Sequence, residues 1–248
     1  MSFQVLKFKK SNQRFVSKKS WLNSKHTFSF GDYIDKSWNN FGPIRVINED
    51  TINPMSGFEM HSHQNMEIVT ILLEGCITHT DSMNNKGEIC QGHVQVMTSG
   101  KGISHSEKNE ENKECKLLQI WITPNKYNLT PNYQQKQFEI QSGIQLIISQ
   151  DNENTPLKIS QEINLWRCTG PFYNDIMVLP EKIFQYNWIQ VIEGELKISN
   201  KLKNKEQKLS KGDGLGFKVT HFDDIFFETK KDTDLLLFSF NSLRNYYS

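Results

Sequence analysis

Residues 61–75, HSHQNMEIVTILLEG, contain the pattern that decides the fold. His61 and His63 stand two positions apart, and an apolar segment rich in Val, Ile and Leu follows them and ends at Gly75. Such runs, bounded by a turn residue, are typical of β-strands, in which alternate side chains point to the same face. Both imidazoles are therefore expected on one face of a sheet, beside a buried strand.

The same strand pattern recurs along the chain, and no long amphipathic helix interrupts it. Short segments rich in β-branched and aromatic residues, separated by Gly, Asn, Asp or Pro, predict an all-β fold with few short helices. Beyond the opening stretch, these segments are residues 76–82, 93–100, 116–123, 144–150, 187–199 and 234–240.

An internal repeat predicts two consecutive β-barrels. The segment Val69–Gly75 resembles Trp188–Gly194, and the glycine turn at Gly92 has a counterpart at Gly212, so the offset stays at 119 to 120 residues. A pattern held at nearly constant offset over this distance indicates two copies of one unit. We place the domains at 1–130 and 131–248, with a linker near 125–142, where prolines and an Asn/Gln-rich stretch interrupt the strands.

Composition argues against several classes of protein. With 29 basic and 28 acidic residues the net charge is +1, which gives no global attraction to nucleic acid or an anionic membrane. No apolar run approaches the roughly 20 residues that cross a bilayer, and the N-terminus does not resemble a signal peptide. The four cysteines contain no CxxC pair, which favours free thiols in a reducing cytosol. We therefore expect a cytoplasmic protein.

A second pair of candidate ligands lies at His105 and Glu107, again two positions apart. Two such pairs on neighbouring strands can close on one ion, so His61, His63, His105 and Glu107 form the predicted site. Three imidazoles and one carboxylate suit Fe, Mn, Co, Ni, Cu or Zn and fit Mg or Ca poorly. The sequence thus predicts one divalent transition metal per chain, with positions left open for a substrate or dioxygen.

The motifs together resemble the pirin family of the cupin superfamily. The resemblance is carried by residues 61–70, by the Leu-Glu-Gly that follows, and by residues 79–82 and 100–107, with further similarity at residues 21–30, 45–48 and 119–121. It is strong over about residues 14–140 and weaker beyond. One departure is Ser62, where the family usually has Pro, and another is His93, where an acidic residue often follows the glycine.

The resemblance implies two cupin barrels with metal only in the first, held by His61, His63, His105 and Glu107. Iron is the family's usual metal, so Fe(II) is the first expectation, with Ni, Co, Mn, Cu or Zn as alternatives. Some family members are quercetin 2,3-dioxygenases, which open a flavonol ring with dioxygen, and others are nuclear proteins that modulate transcription factors.

Two functions follow as hypotheses. The first is a metal-dependent dioxygenase acting on a flavonol-like aromatic and dioxygen, with Glu107 as general base. The second is a non-enzymatic metal- or redox-sensing module that binds a regulatory protein. Direct nucleic-acid binding and membrane association are not expected under either.

Several assignments around the site remain open at this stage. Glu67 rivals Glu107, because it follows His63 by four residues, where the general cupin pattern has its acidic ligand. Four other histidines, of which His79 is the most tempting, are interpreted as core or surface residues. Phe58, Met60 and Met97 are either the walls of an aromatic pocket or ordinary core.

The repeat also predicts where metal does not bind. The positions of the second barrel that correspond to the four ligands are Pro180, Lys182, Ile225 and Phe227. None of these suits a transition metal, so the second barrel is expected to bind none.

Overall fold

A computed structural model describes residues 3–150, 157–172, 174, 176–180, 183–200, 205–220, 225–230 and 232–243. Nearly all regular structure in this part of the chain is β, as predicted, with two 3₁₀ turns at Ser11–Gln13 and Lys36–Trp38. The strands, in chain order, are β1 (Phe3–Lys9), β2 (Phe15–Lys18), β3 (Leu22–His26), β4 (Ile44–Ile52), β5 (Ser56–His63), β6 (Glu67–Glu74), β7 (Cys76–Asp81), β8 (Lys86–Cys90), β9 (His93–Thr98), β10 (Ile103–Asn109), β11 (Cys115–Ile122), β12 (Asn132–Gln137), β13 (Gly143–Ser149), β14 (Leu157–Lys158), β15 (Ile163–Thr169), β16 (Ile176–Met177), β17 (Tyr186–Glu193), β18 (Glu195–Asn200), β19 (Lys205–Ser210), β20 (Gly214–Val219), β21 (Ile225–Thr229) and β22 (Asp234–Phe240).

The chain divides into two compact units. The N-terminal unit contains Phe15–Glu139 and Leu157–Gln161, and the C-terminal unit contains the described residues of the ranges 1–14, 140–156 and 162–244. The boundary predicted at 130/131 differs from this division because strand pairing is not local. β1 pairs with β20, which joins the first residues to the C-terminal unit, whereas β12 pairs with β9 and stays in the N-terminal unit.

Two sheets build the N-terminal unit, with strand orders β12-β9-β6-β11-β4-β3-β2 and β5-β10-β7-β8. An apolar cluster includes residues from both, among them Leu72 and Leu117 on the large sheet and Ile77 and Ile89 on the small one. Burial of such side chains is the main stabilising term of a sheet-on-sheet fold. Among the described strands the hydrogen bonding does not close into a single barrel.

The C-terminal unit has the same plan. Its larger sheet runs in the order β1-β20-β17-β22-β15-β13, and its smaller sheet in the order β16-β21-β18-β19. One apolar cluster includes residues from both sheets, such as Phe217 and Leu237 from the larger and Ile198 and Phe227 from the smaller.

The glycines that mark the repeat have the same backbone role in both units. Gly75 and Gly194 have φ angles of 74° and 76°, in the left-handed region that L side chains rarely adopt. A Cβ on Gly194 would lie 2.8 Å from Thr233 Cα, and one on Gly75 would lie 2.9 Å from Cys115 Cβ. The repeat therefore reflects equivalent turns after β6 and β17. In each turn the glycine packs against the start of a neighbouring strand, β11 for Gly75 and β22 for Gly194.

The prediction of four free thiols is wrong for two of the cysteines. Cys76 and Cys90 are direct cross-strand partners in the β7–β8 pair and form a disulfide, whereas Cys115 and Cys168 are free and buried. Spacing along the chain did not indicate this bond, because it depends on the register of two strands.

No helix in the described ranges has the length and apolarity needed to span a membrane. The cytoplasmic location stays a prediction.

Candidate metal centre

The small sheet of the N-terminal unit places the two predicted ligand pairs on adjacent strands. His61 and His63 lie on β5, and His105 lies on β10, directly opposite His61 in the antiparallel register. Ile103 is the cross-strand partner of His63. Because side chains alternate along a strand, the three imidazoles project to the same face of the sheet.

These three imidazoles converge. One nitrogen from each of His61, His63 and His105 lies within 4.8 Å of the others, and their ring centroids are 4.6 to 5.0 Å apart. Nδ1 of His61 donates to the carbonyl of Glu59 at 2.7 Å, which leaves its Nε2 as the free lone pair. Nε2 of His105 is buried with no hydrogen-bond partner, which is costly unless an ion or ligand completes it. The cluster therefore fits a divalent transition metal.

Burial favours the neutral form of His63 and His105. It lowers the pKa of His63 to about 4, with a further contribution from nearby His61. Burial also lowers the pKa of His105 to about 2, and His61, His63 and His79 add to the effect. A metal binds imidazole only in its neutral form, so both rings are ready to ligate near neutral pH.

Glu107 lies two residues beyond His105 on β10, but its carboxylate has partners on the large sheet. It accepts hydrogen bonds from Thr70 Oγ1 at 3.0 Å and from Gln119 Nε2 at 2.7 Å. Its side chain is fully enclosed, and burial raises its pKa. One carboxylate oxygen still lies within 4.8 Å of ring nitrogens of His105 and His79. The structure thus groups the three predicted imidazoles with one another, and groups Glu107 with His105 and His79.

The β5–β10 pairing has an irregularity beside the predicted ligands. His105 lies opposite His61 but Glu107 lies opposite Phe58, so three steps along β5 span two along β10 and the extra residue belongs to β5. β10 itself keeps a regular register with β7 from His105 to Glu107, so these two side chains project to the same face. Gly57, which precedes Phe58, has no room for a side chain, since a Cβ there would lie 2.3 Å from the Glu107 carbonyl oxygen.

His79, set aside in the sequence interpretation, is fully buried against the site. Its Nε2 lies 3.3 Å from Asp81 Oδ2 and its Nδ1 lies 3.5 Å from Nδ1 of His105. The Tyr133 ring stacks on the His79 ring, with centroids 4.7 Å apart. One proton arrangement satisfies all these atoms: His79 donates to Asp81 and accepts from His105, which leaves Nε2 of His105 free for a metal. The i, i+2 spacing of His79 and Asp81 was the signal for this pair.

Several hydrogen bonds hold the Asp81 carboxylate in place beside His79. Its carboxylate accepts from the backbone N–H groups of Met83 and Asn85 and from the Asn85 side chain. Although burial opposes ionisation, these bonds and the one from His79 hold the pKa of Asp81 below its ordinary value. A fixed anion at this point favours the proton arrangement above.

We predict that His79 positions His105 through its hydrogen bond. His79→Leu should weaken metal binding roughly 10- to 100-fold, as loss of an outer-shell partner commonly does. His79→Gln should retain most of the affinity, because an amide oxygen can accept from His105 while its N–H donates to Asp81. Competition with a chelator of known affinity measures both. Equal loss in the two variants would contradict the hydrogen-bond role.

Three further residues that the sequence brought into question, Glu67, Met60 and Met97, have roles outside the metal centre. Glu67 is fully buried, but its carboxylate accepts from the backbone N–H groups of Ser160 and Gln161 and from Thr98, so it anchors the 157–161 segment. Met97 belongs to an apolar core cluster and Met60 is 54% exposed. Neither of them forms a wall of the cavity beside the histidines.

A cavity of about 530 Å³ opens beside the histidines. His61, His63 and Glu107 contribute to its lining, and the aromatic walls consist of Phe15, Phe30, Tyr33, Phe58 and Trp121. Trp121 packs edge-on against His63, with ring centroids 4.9 Å apart. The cluster is therefore reachable by a flat apolar molecule from one side.

In the C-terminal unit, the positions corresponding to the ligands have other roles. Ile225 and Phe227 lie in the apolar core, and Pro180 is half-buried without a donor atom to offer. Lys182 lies outside the described residues. The absence of metal from this unit stays a prediction.

Comparison with known proteins identifies the family. Residues 8–122 match the Pirin family, and residues 146–240 match the quercetinase C-terminal cupin domain. The chain is 37% identical over 235 residues to a quercetin 2,3-dioxygenase of Escherichia coli (strain K12), covering 94% of this chain and 98% of that protein. It is 45% identical over 118 residues to a pirin-like protein of Caulobacter vibrioides, covering 48% and 51% of the two chains.

Solved structures agree. The bacterial pirin YhhW of Escherichia coli, in complex with nickel(II), superposes with a TM-score of 0.82 at 35% identity, covering 95% of this chain and 98% of that one. The predicted pair of cupin-type domains and the family resemblance are both confirmed. This chain therefore belongs to the pirin family, with a pirin N-terminal domain followed by a second cupin domain.

Proposed function

We propose that this pirin is a metal-dependent dioxygenase able to open the ring of flavonols such as quercetin. The observation that carries the proposal is the aromatic-walled cavity reaching His61 and His63, because a purely structural metal site needs no such opening. The relatives named quercetin 2,3-dioxygenase and the nickel complex of YhhW support it. A flavonol and dioxygen are the proposed substrates.

His61, His63 and His105 would hold the metal, with Glu107 as the fourth ligand. When bound, the metal supplies Lewis-acid activation of a phenolic hydroxyl and its neighbouring carbonyl. The three imidazoles and one carboxylate suit several first-row metals. Iron(II) remains our proposal, with nickel as the alternative that the YhhW complex favours.

The aromatic walls would orient the substrate and exclude water. Phe30 and Trp121 meet edge to face at 5.3 Å, and Phe58 lies on the other side next to His61. A flat ring between such side chains gains apolar burial and favourable edge or stacking contacts. Holding the ring in one orientation lowers the entropic part of the barrier.

Glu107 is the proposed acceptor of the flavonol hydroxyl proton, once its carboxylate loosens from the metal. Burial raises the pKa of Glu107, which makes its carboxylate a stronger base. Thr70 and Gln119 keep its carboxylate at one place in the cavity lining. Proton transfer would leave an electron-rich ring that reacts with dioxygen.

Quercetin consumption under air, followed by absorbance and by oxygen uptake, tests the proposal. The protein is stripped of metal, reloaded separately with Fe(II) or Ni(II), and assayed with bound metal measured in the same samples. Turnover that requires metal supports the dioxygenase. Metal-loaded protein without any turnover would overturn it and favour the module that binds a regulatory protein.

We predict at most one ion per chain. The donors converge in the N-terminal unit, and the corresponding positions of the C-terminal unit include the buried Ile225 and Phe227. Elemental analysis of the reloaded, desalted protein should give a ratio near one. A ratio of two that survives desalting would contradict the prediction.

A further inference from the structure

A group of five polar side chains, four of them buried, forms one wall of the cavity. We call it the polar shelf, and its members lie on three neighbouring strands, β2, β3 and β4. They are Ser17, Ser24, His26, Asn48 and Asp50.

The shelf is organised by its own hydrogen bonds. Nδ1 of His26 lies 2.8 Å from Asn48 Oδ1, and its Nε2 contacts the hydroxyl of Ser17. The hydroxyl of Ser24 donates to Asp50. His26–Asn48 and Ser24–Asp50 are direct cross-strand pairs of β3 and β4, and Ser17 lies opposite Ser24, diagonal to His26. The antiparallel register therefore determines which groups meet.

Burial makes this arrangement costly for a purely structural role. Ser24, His26, Asn48 and Asp50 are each 2% exposed, although they line a cavity whose other walls are largely aromatic. Enclosing polar groups costs free energy, and a carboxylate is the most expensive of these groups to desolvate. A carboxylate can accept several hydrogen bonds, so Asp50 can serve a ligand in addition to Ser24.

The shelf and the metal centre are linked through the large sheet. His26 and Asn48 belong to the same cross-strand row as Gln119, which donates to Glu107. β3 lies two strands from β11, and strands in a sheet are about 4.8 Å apart, so the backbones of His26 and Gln119 are on the order of 10 Å apart. Asp50 lies on β4, one strand from β11. A flavonol binds a metal through the hydroxyl and carbonyl of its central ring, so one of its outer rings can extend from the metal centre toward the shelf.

We infer that the polar shelf is a subsite for hydroxyl groups on the part of the substrate farthest from the metal, with Asp50 as the principal acceptor. This inference rests on the proposed function and narrows its substrate class to polyhydroxylated flavonols. The aromatic walls bind any flat ring, whereas the shelf raises the affinity for a ligand that has a phenolic O–H on the ring farthest from the metal.

Equilibrium binding to the metal-loaded protein tests the subsite without relying on turnover. The two probes are quercetin, which has hydroxyls on its outer rings, and 3-hydroxyflavone, whose only hydroxyl belongs to the metal-binding pair. We expect quercetin to bind at least tenfold more tightly, because a hydrogen bond to a charged acceptor supports roughly a ten- to hundredfold preference. Isothermal calorimetry measures both affinities.

The decisive variant is Asp50→Asn, which keeps the size of the side chain and removes its charge. It should cut the preference for quercetin to below about threefold and leave the affinity for 3-hydroxyflavone within about twofold. Glu49→Gln is the matched control, because Glu49 precedes Asp50 on β4, pairs with Lys25 and does not line the cavity. That variant should bind both probes as the wild type does.

The outcomes separate the two hypotheses. An unchanged preference in Asp50→Asn, or an equal loss for both probes, would overturn the subsite while the proposed function stands. Failure of the wild-type protein to bind either probe would overturn the proposed function and the subsite together. Ser24→Ala is a second, milder variant, expected to shift the preference in the same direction as Asp50→Asn.

Discussion

His105→Ala is expected to abolish stable metal binding and, with it, any dioxygenase activity. A ring nitrogen of His105 lies within 4.8 Å of one from each of His61 and His63. Nε2 of His105 is buried and has no hydrogen-bond partner. Removing it deletes a ligand and leaves an open coordination position, so we expect metal affinity to fall at least 100-fold. Bound metal and quercetin turnover, measured in the same preparations, should decline together.

The control for this variant is His93→Ala. His93 lies on β9 outside the cluster, where its ring nitrogen accepts from the Cys90 backbone N–H and from Gln135. Metal content and turnover should stay near wild type. The fold of His105→Ala should also persist, because the apolar clusters of both units are independent of the ion. If His105→Ala loses its metal yet keeps wild-type turnover, the metal mechanism is wrong.

Glu107→Gln should lower quercetin turnover by about 10²- to 10⁴-fold, the range expected for loss of a general base. The amide keeps the size of the side chain and a carbonyl oxygen that can accept from Gln119, but it cannot take a proton. Three imidazoles remain, so near-stoichiometric metal should still bind when metal is in excess. Turnover at saturating metal, with metal content measured alongside, separates the chemical step from occupancy.

Glu88→Gln is the control, since Glu88 is an exposed carboxylate on β8 of the same small sheet. It should leave turnover unchanged. Wild-type turnover in Glu107→Gln would refute the role of Glu107 as base. Loss of all metal from Glu107→Gln, even with metal in excess, would show instead that its charge as a ligand dominates.

Local sequence was sufficient to predict the repeat and eight of the strands, which are β6, β7, β9, β11, β13, β17, β18 and β22. The period-two pattern around His61 and His63 places both rings on one face wherever the strand lies, because alternation is a property of the extended backbone. The equivalent turns at Gly75 and Gly194 were visible for a similar reason, since only a few residue types tolerate their backbone angles. The family resemblance rested on the same local motifs.

Register and long-range pairing were decided only by the tertiary structure. Spacing could not indicate that Cys76 lies opposite Cys90, nor that β1 pairs with β20. Nor could spacing indicate that Glu107 accepts from Thr70 and Gln119, which lie on two strands of the other sheet.

The roles of His79 and of the polar shelf have the same origin. His79 meets His105 because β7 and β10 are neighbours in the small sheet, and the shelf exists because β2, β3 and β4 align their polar residues in one cavity wall. A strand's sequence determines which side chains share a face, but the neighbouring strands and their register determine which groups those side chains meet.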